Sequence, residues 1–224
     1  MVSSARGYLD GRGPLFPPLY AIVDPSTVQV PAIELAGQLA RAGVRLVQLR
    51  DKRSPARTIY GEVKELAALL APHGVRLILN DRPDIAAIAG AGGVHVGQDD
   101  LPVEHARRIC KRPFWVGVST HNLDQLREAA RTSADYIAVG PIFPTATKEN
   151  PDPVVGAEFL RAARELTQKP LVAIGGITVD SAAEVFRAGA DSVAVIRDLV
   201  AAGDPVGRAR EYLAIAERVR SERG

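Results

Sequence analysis

Gln48, Arg50 and Lys52 stand two residues apart at the end of an apolar run, so an extended backbone brings all three to one side while Leu49 faces the other. An amide can read the edge of a heteroaromatic ring. An arginine beside a lysine can neutralise a phosphate, the arginine with bidentate geometry. The alternative is a strand end dissolving into solvent, since a glutamine and an arginine inside a core need partners. Asn80-Asp81 follows a second apolar run, and His95-Val96-Gly97-Gln98-Asp99-Asp100 overlaps a third. Two carboxylates at neighbouring strand ends suit Mg²⁺, which takes one or two of them, keeps waters and completes its shell with substrate phosphate. Asp81 and Asp100 are the candidate ligands. Asp99 competes with Asp100 on spacing, and either could instead cap the helix beginning near Leu101-Pro102. His95 lies within its run and reads as a satisfied interior histidine, and no His/Cys cluster suggests zinc.

Further along, Gly117-Val118-Ser119-Thr120-His121 offers a hydroxyl and an imidazole before a helix. Ser119 is expected to point inward, with Thr120 or His121 as the helix cap. From Gly140 to Lys148 two prolines end a buried run, and Thr145, Thr147 and Lys148 follow as a candidate anion clamp, the alternative being an exposed turn with a solvated lysine. Gly175-Gly176 and Ile196-Arg197 follow the last two apolar runs, where small residues let backbone amides approach a phosphate.

Elements that could present these groups together alternate along the chain. Runs at Leu19 to Val23, Arg45 to Leu49, Arg76 to Leu79, Val94 to Val96, Trp115 to Val118, Tyr136 to Val139, Leu171 to Ile174 and Ser192 to Ile196 read as strands. Between them lie segments with three-to-four apolar spacing, such as Ile33 to Leu39 and Val63 to Leu70, and an amphipathic last helix over Val206 to Arg220. Ala42-Gly43-Val44, Ala91-Gly92-Gly93 and Ala188-Gly189-Ala190 read as helix stops. Eight βα units in this length predict an α/β fold, a single (β/α)₈ TIM barrel over 15–224 with ligands at the carboxyl ends of its strands. Two phosphate-binding regions on one mouth imply two phosphorylated small-molecule substrates.

Charge narrows the function classes. With 28 Lys+Arg against 26 Asp+Glu the net charge is +2, without the basic excess of nucleic-acid binding, so anions must be bound locally. No apolar run approaches 18 residues, so no membrane-spanning helix is expected, and the lone Cys110 cannot form an intramolecular disulfide. Both point to a reducing cytoplasm. Residues 1–14 lack a secretory apolar core and read as a disordered leader. Monomer and homo-oligomer are both left open.

Taken in order from about Leu19 to Leu199, these motifs resemble those of the thiamine-phosphate synthases: Gln-x-Arg-x-Lys at 48 to 52, Asn80-Asp81, His-Val-Gly-Gln-Asp-Asp ending at Asp100, Gly-Val-Ser-Thr-His, Gly-Pro-Ile-Phe-Pro-Thr-x-Thr-Lys ending at Lys148, and Ala-Ile-Gly-Gly-Ile. The resemblance implies a Mg²⁺-dependent barrel transferase. Such an enzyme joins hydroxymethylpyrimidine diphosphate to a thiazole phosphate, or its carboxylate form, and releases pyrophosphate. It further implies that Gln48, Arg50, Lys52 and Asn80 bind the pyrimidine diphosphate, and that Asp81 and Asp100 bind Mg²⁺. Ser119 and Lys148 would make further diphosphate contacts, catalytic together with Arg50, while Thr145, Thr147, Gly176, Ile196 and Arg197 meet the thiazole phosphate. Arg197 departs from the pattern, since relatives often carry a small residue there and contact the phosphate through its backbone. The related thiazole tautomerases share the barrel, with His121 as a proton-transfer candidate here, and a noncatalytic phosphate-sensing barrel is a third reading. The Thr-x-Thr-Lys loop and the Asn-Asp pair favour the synthase.

Overall fold

Short runs buried on both faces satisfy their backbone groups only beside one another, and in the computed structural model of this chain eight of them do so in a closed ring. The structure describes residues 16–28, 30–145, 152–201 and 203–222. The strands are β1 (Leu19–Val23), β2 (Leu46–Leu49), β3 (Arg76–Asn80), β4 (Gly93–Val96), β5 (Trp115–Thr120), β6 (Tyr136–Val139), β7 (Leu171–Ile174) and β8 (Ser192–Val195). All are parallel and joined in sequence order, with β1 closing on β8. The helices α1 (Ala32–Ala42), α2 (Ala56–Leu70), α3 (Pro83–Ala89), α4 (Val103–Ile109), α5 (Leu123–Arg131), α6 (Gly156–Leu166) and α7 (Val179–Arg187) fill the crossovers. After β8 come α8 (Arg197–Ala201) and α9 (Pro205–Ser221). This is the expected (β/α)₈ barrel; among the described residues a 3₁₀ helix over Ala71–His73 and the short α8 stand beyond the eight helices anticipated. None of the described helices is long and apolar enough to cross a membrane.

Alternation along each strand divides the core into two parts. Leu19, Ala21 and Val23 of β1 face outward with the helix-covered residues, among them Leu35, Leu39, Leu66 and Leu70. Tyr20 and Ile22 point inward to Leu46, Ile78, Tyr136, Ala138, Val172 and Ala194. At roughly 1.5 to 3 kcal/mol for each large apolar side chain fully buried, the outer jacket carries most of the fold's stability. The interior is filled by two tyrosines at the expense of a neighbour's side chain. A Cβ on Gly117 would lie 2.0 Å from the Tyr136 ring, its register partner on the adjacent strand, so only glycine admits that ring. Phe16 stacks on Trp115 at 5.1 Å between ring centroids and packs on Tyr136 as well.

Helix boundaries follow local chemistry, with three departures from the sequence reading. Gly43 ends α1 in the left-handed region at φ 105°, as expected. The stop of α3 is Gly90 at φ 86°, not Gly92 or Gly93; Gly93 belongs to β4, where a Cβ would meet Ile78 at 2.4 Å. The cap of α5 is Asn122, whose side chain accepts from the Gln125 N–H at 2.9 Å, because β5 runs on through Thr120 and the Thr120 hydroxyl donates to Ala138 O. Neither Asp99 nor Asp100 caps α4; Pro102 precedes it, and the Asp100 carboxylate accepts from the Gly97 N–H at 2.7 Å.

Candidate active site

Apart from Gln98, Asp99 and the fully buried Thr120, the polar residues singled out at the strand ends line, wherever described, one cavity of about 460 Å³ at the carboxyl-end mouth. That volume lies within the range of small-molecule sites. From β2 comes Gln48 and from the loop after it Arg50 and Lys52; from the end of β3, Asn80, and directly after it Asp81; from the β4 loop, Asp100; and from β5, Ser119. The β6 loop contributes Thr145, the β7 loop Gly176, and the end of β8 Ile196 and Arg197. Thr147 and Lys148 lie outside the described residues. Because the barrel closes in sequence order, the β2–β5 set and the β6–β8 set occupy two arcs of one rim.

On the first arc the predicted alternation holds. Gln48 is buried and Leu49 faces the outer core. The Arg50 guanidinium is paired with Asp24, a residue only 2 % exposed that also accepts from the Ser26 N–H at 2.9 Å and hydroxyl at 2.6 Å. Asp24 follows β1 and so belongs to the same rim, yet the sequence reading passed over it; its signal was an acid directly behind an apolar run. Lys52 reaches the Asp81 carboxylate at 3.1 Å. Asp81 itself has φ 61°, a left-handed conformation in which Asp and Asn are tolerated and most side chains are strained. Burial, then the facing Asp100, push the Asp81 carboxyl upward, and Lys52 partly offsets this. Two carboxylates close enough to share a proton form a site that favours a cation.

Among the described residues no group of three or more His, Cys, Asp or Glu is gathered for a metal. The Asp81–Asp100 pair suits a hard ion that takes its remaining ligands from water and substrate oxygens.

On the second arc, the β6 loop lies directly on the β7 loop. Ile142 N–H donates to Ile174 O at 2.9 Å and Phe143 N–H to Gly175 O at 3.0 Å. Gly176, at φ 61°, makes that approach feasible, since a Cβ there would lie 2.4 Å from Pro144 O. Thr145 is thereby held half-buried at the cavity wall. His121 bridges the arcs, its Nδ1 2.6 Å from Gly140 O and its Nε2 3.4 Å from Asp152.

Fold and site together define a (β/α)₈-barrel enzyme with a cavity at the carboxyl ends of its strands that is lined by both cationic and acidic side chains. The chain belongs to the thiamine monophosphate synthase family, whose model matches residues 19–199. It is 52% identical to a thiamine-phosphate synthase of Koribacter versatilis over 204 residues, spanning 89% of this chain and 95% of that protein. With a thiamine-phosphate synthase of Methanospirillum hungatei the identity is 41%, over 80% of this chain and 87% of that one. Its fold superposes on the solved thiamine phosphate pyrophosphorylase of Pyrococcus furiosus with a TM-score of 0.82 at 34% identity, covering 90% and 96% of the two chains.

Proposed function

We propose that this enzyme couples 4-amino-2-methyl-5-hydroxymethylpyrimidine diphosphate to 4-methyl-5-(2-phosphoethyl)thiazole, or its carboxylate form, giving thiamine phosphate and pyrophosphate. The observation that carries the reading is that Arg50 and Lys52 line one side of the rim cavity while Arg197 and the glycines after β7 line the other. The pyrimidine diphosphate lies on the arc of Gln48, Arg50, Lys52, Asn80 and Ser119, and the thiazole phosphate on that of Thr145, Gly176, Ile196 and Arg197. Thr147 and Lys148 follow Thr145 in sequence, Thr147 as a further thiazole-phosphate contact and Lys148 as a diphosphate donor.

The reaction breaks the bond between the pyrimidine methylene carbon and the diphosphate oxygen, and the thiazole nitrogen then bonds to that carbon. No protein nucleophile takes part. The chain's task is to place positive charge and hydrogen-bond donors where the leaving diphosphate gathers negative charge. Arg50, held in place by Asp24, and Lys52 do so from fixed positions, with Ser119 and Lys148 as further donors. Gln48 presents its amide to the ring. Asp81 and Asp100 fit Mg²⁺, which when bound supplies charge neutralisation at the diphosphate.

The test is a coupling assay with both substrates and Mg²⁺, run with and without a chelator. Thiamine phosphate and pyrophosphate should appear together and vanish with chelation. No product in the presence of Mg²⁺ would overturn the reading.

Substitution on the second arc should act selectively. In Gly176→Ala the new Cβ meets Pro144 O and Phe143 and must displace the β6 loop. The expected result is a KM for the thiazole phosphate raised by roughly tenfold, with the KM for the pyrimidine diphosphate little changed. Equal rises for both substrates would show that the arcs do not divide the substrates.

A further inference from the structure

Beneath the rim, side chains from five strands join into one hydrogen-bonded chain through an otherwise apolar interior. Gln48 Nε2 donates to the Tyr20 hydroxyl at 2.8 Å, and the Tyr20 and Tyr136 hydroxyls are 2.9 Å apart. Tyr136 Oη lies 3.1 Å from His95 Nδ1, and His95 Nε2 lies 2.9 Å from Ser119 Oγ. Tyr20, Gln48, Tyr136 and His95 are buried, and Ser119 lines the cavity.

The direction of this chain follows from its first member, because an amide nitrogen only donates. Tyr20 accepts from Gln48, and the Tyr136 hydroxyl is the acceptor within reach of its own proton, so that proton turns to Tyr136. Tyr136, having accepted, turns its proton to the lone pair of His95 Nδ1. Burial raises both tyrosines above their ordinary range, so neither hydroxyl gives up its proton near neutrality. His95 is thereby neutral with its proton on Nε2, which it donates to Ser119 Oγ. The serine's own proton is left for an acceptor in the cavity. Run in reverse, the same chain would have Ser119 donate to His95 and turn oxygen lone pairs toward an anion, which is repulsive.

We propose that this relay, anchored at Gln48, sets Ser119 as a hydroxyl donor to a diphosphate oxygen, with Tyr20, Tyr136 and His95 as positioning residues. The diphosphate is taken from the proposed function; the direction of the relay is independent of it. Two measurements on the full chain test the proposal without requiring turnover. In the ¹⁵N-labelled protein, whose four histidines are few enough to assign, His95 should be neutral and protonated on Nε2 near neutral pH. Calorimetry with pyrophosphate and Mg²⁺ should show Ser119→Ala binding roughly tenfold more weakly, the loss of one hydrogen bond to a charged group. Tyr136→Phe should weaken binding several-fold in the wild-type background and have no further effect in the Ser119→Ala background, since it acts through that serine.

A proton on Nδ1 of His95, an imidazolium, an undiminished affinity in Ser119→Ala, or an equal loss from Tyr136→Phe in both backgrounds would each overturn the proposal. The tautomer is read on the unmodified protein, so a variant that fails to fold leaves the test standing. Absence of coupling activity would instead count against the synthase reading.

Discussion

Asp81→Asn should lose the coupling reaction by a factor on the order of 10² to 10³ while its unfolding midpoint without divalent cation holds or rises. On the proposed function, activity should fall because an amide would replace one of the two carboxylates that would hold Mg²⁺ against the diphosphate. Stability does not fall with it, because the charged carboxylate is costly where it stands: burial and the facing Asp100 hold the Asp81 carboxyl above the usual range, and asparagine keeps the shape without the charge. Lys52 loses a partner, but at 53 % side-chain exposure that pair contributes little. The pH dependence gives the sign. A carboxyl whose folded value is raised destabilises the fold fully above that value, and the penalty disappears as pH falls toward the ordinary aspartate range. Wild-type protein without metal should therefore gain stability on mild acidification, and Asp81→Asn should lose that part of the gain. Asp81→Ala adds about 1 to 2 kcal/mol of left-handed strain at φ 61° and should be the less stable variant. Unfolding midpoints across pH for the three proteins, beside the coupling rate, check all of this. Full turnover in Asp81→Asn would remove the carboxylate from the reaction.

The barrel was legible because its strands are buried on both faces. Such strands read as unbroken apolar runs, and each run ends where polar rim residues begin, so β1, β6 and β7 fall on their expected limits and the rest within two residues. The candidate rim residues were legible for the same reason, since Gln48, Asp81 or Ser119 interrupts a core pattern that water does not explain. What escaped the sequence depends on contacts between distant positions. Tyr20 and Tyr136 are 116 residues apart and count simply as core until their hydroxyls are seen to meet. Gly117 looks like a weak strand residue until the Tyr136 ring is found to occupy the place of its side chain. His95 was read as a satisfied interior histidine and is one, but its partners lie on β5 and β6. The cap of α5 moved to Asn122 because parallel pairing with β6 extends β5 through Thr120, a tertiary gain that outweighs the local capping preference of a threonine.

Arg50 and Asp24 invite the second large effect, in which activity and stability should separate. Arg50→Gln removes a guanidinium from the arc proposed to hold the diphosphate, and kcat should fall on the order of 10² to 10³-fold. It also leaves Asp24, 2 % exposed, as a buried carboxylate without its cation. Breaking a buried pair from one side costs about 3 to 5 kcal/mol in full burial. Asp24 keeps two hydrogen bonds from Ser26 and stands near a water-accessible mouth, so a loss of about 2 kcal/mol, or an unfolding midpoint lower by roughly 4 to 8 °C, is the fitting magnitude here. The double variant Asp24→Asn/Arg50→Gln has no buried charge left and should regain most of that stability while staying as inactive as Arg50→Gln. Asp24→Asn alone keeps the guanidinium but releases it from its tether, so turnover should drop only about tenfold through poorer placement. Thermal unfolding and single-turnover kinetics on the four proteins distinguish the outcomes. Recovery of turnover together with stability in the double variant would mean that Arg50 serves the fold by covering Asp24, and that the charge stabilising the leaving group comes from Lys52, Lys148 and the ion.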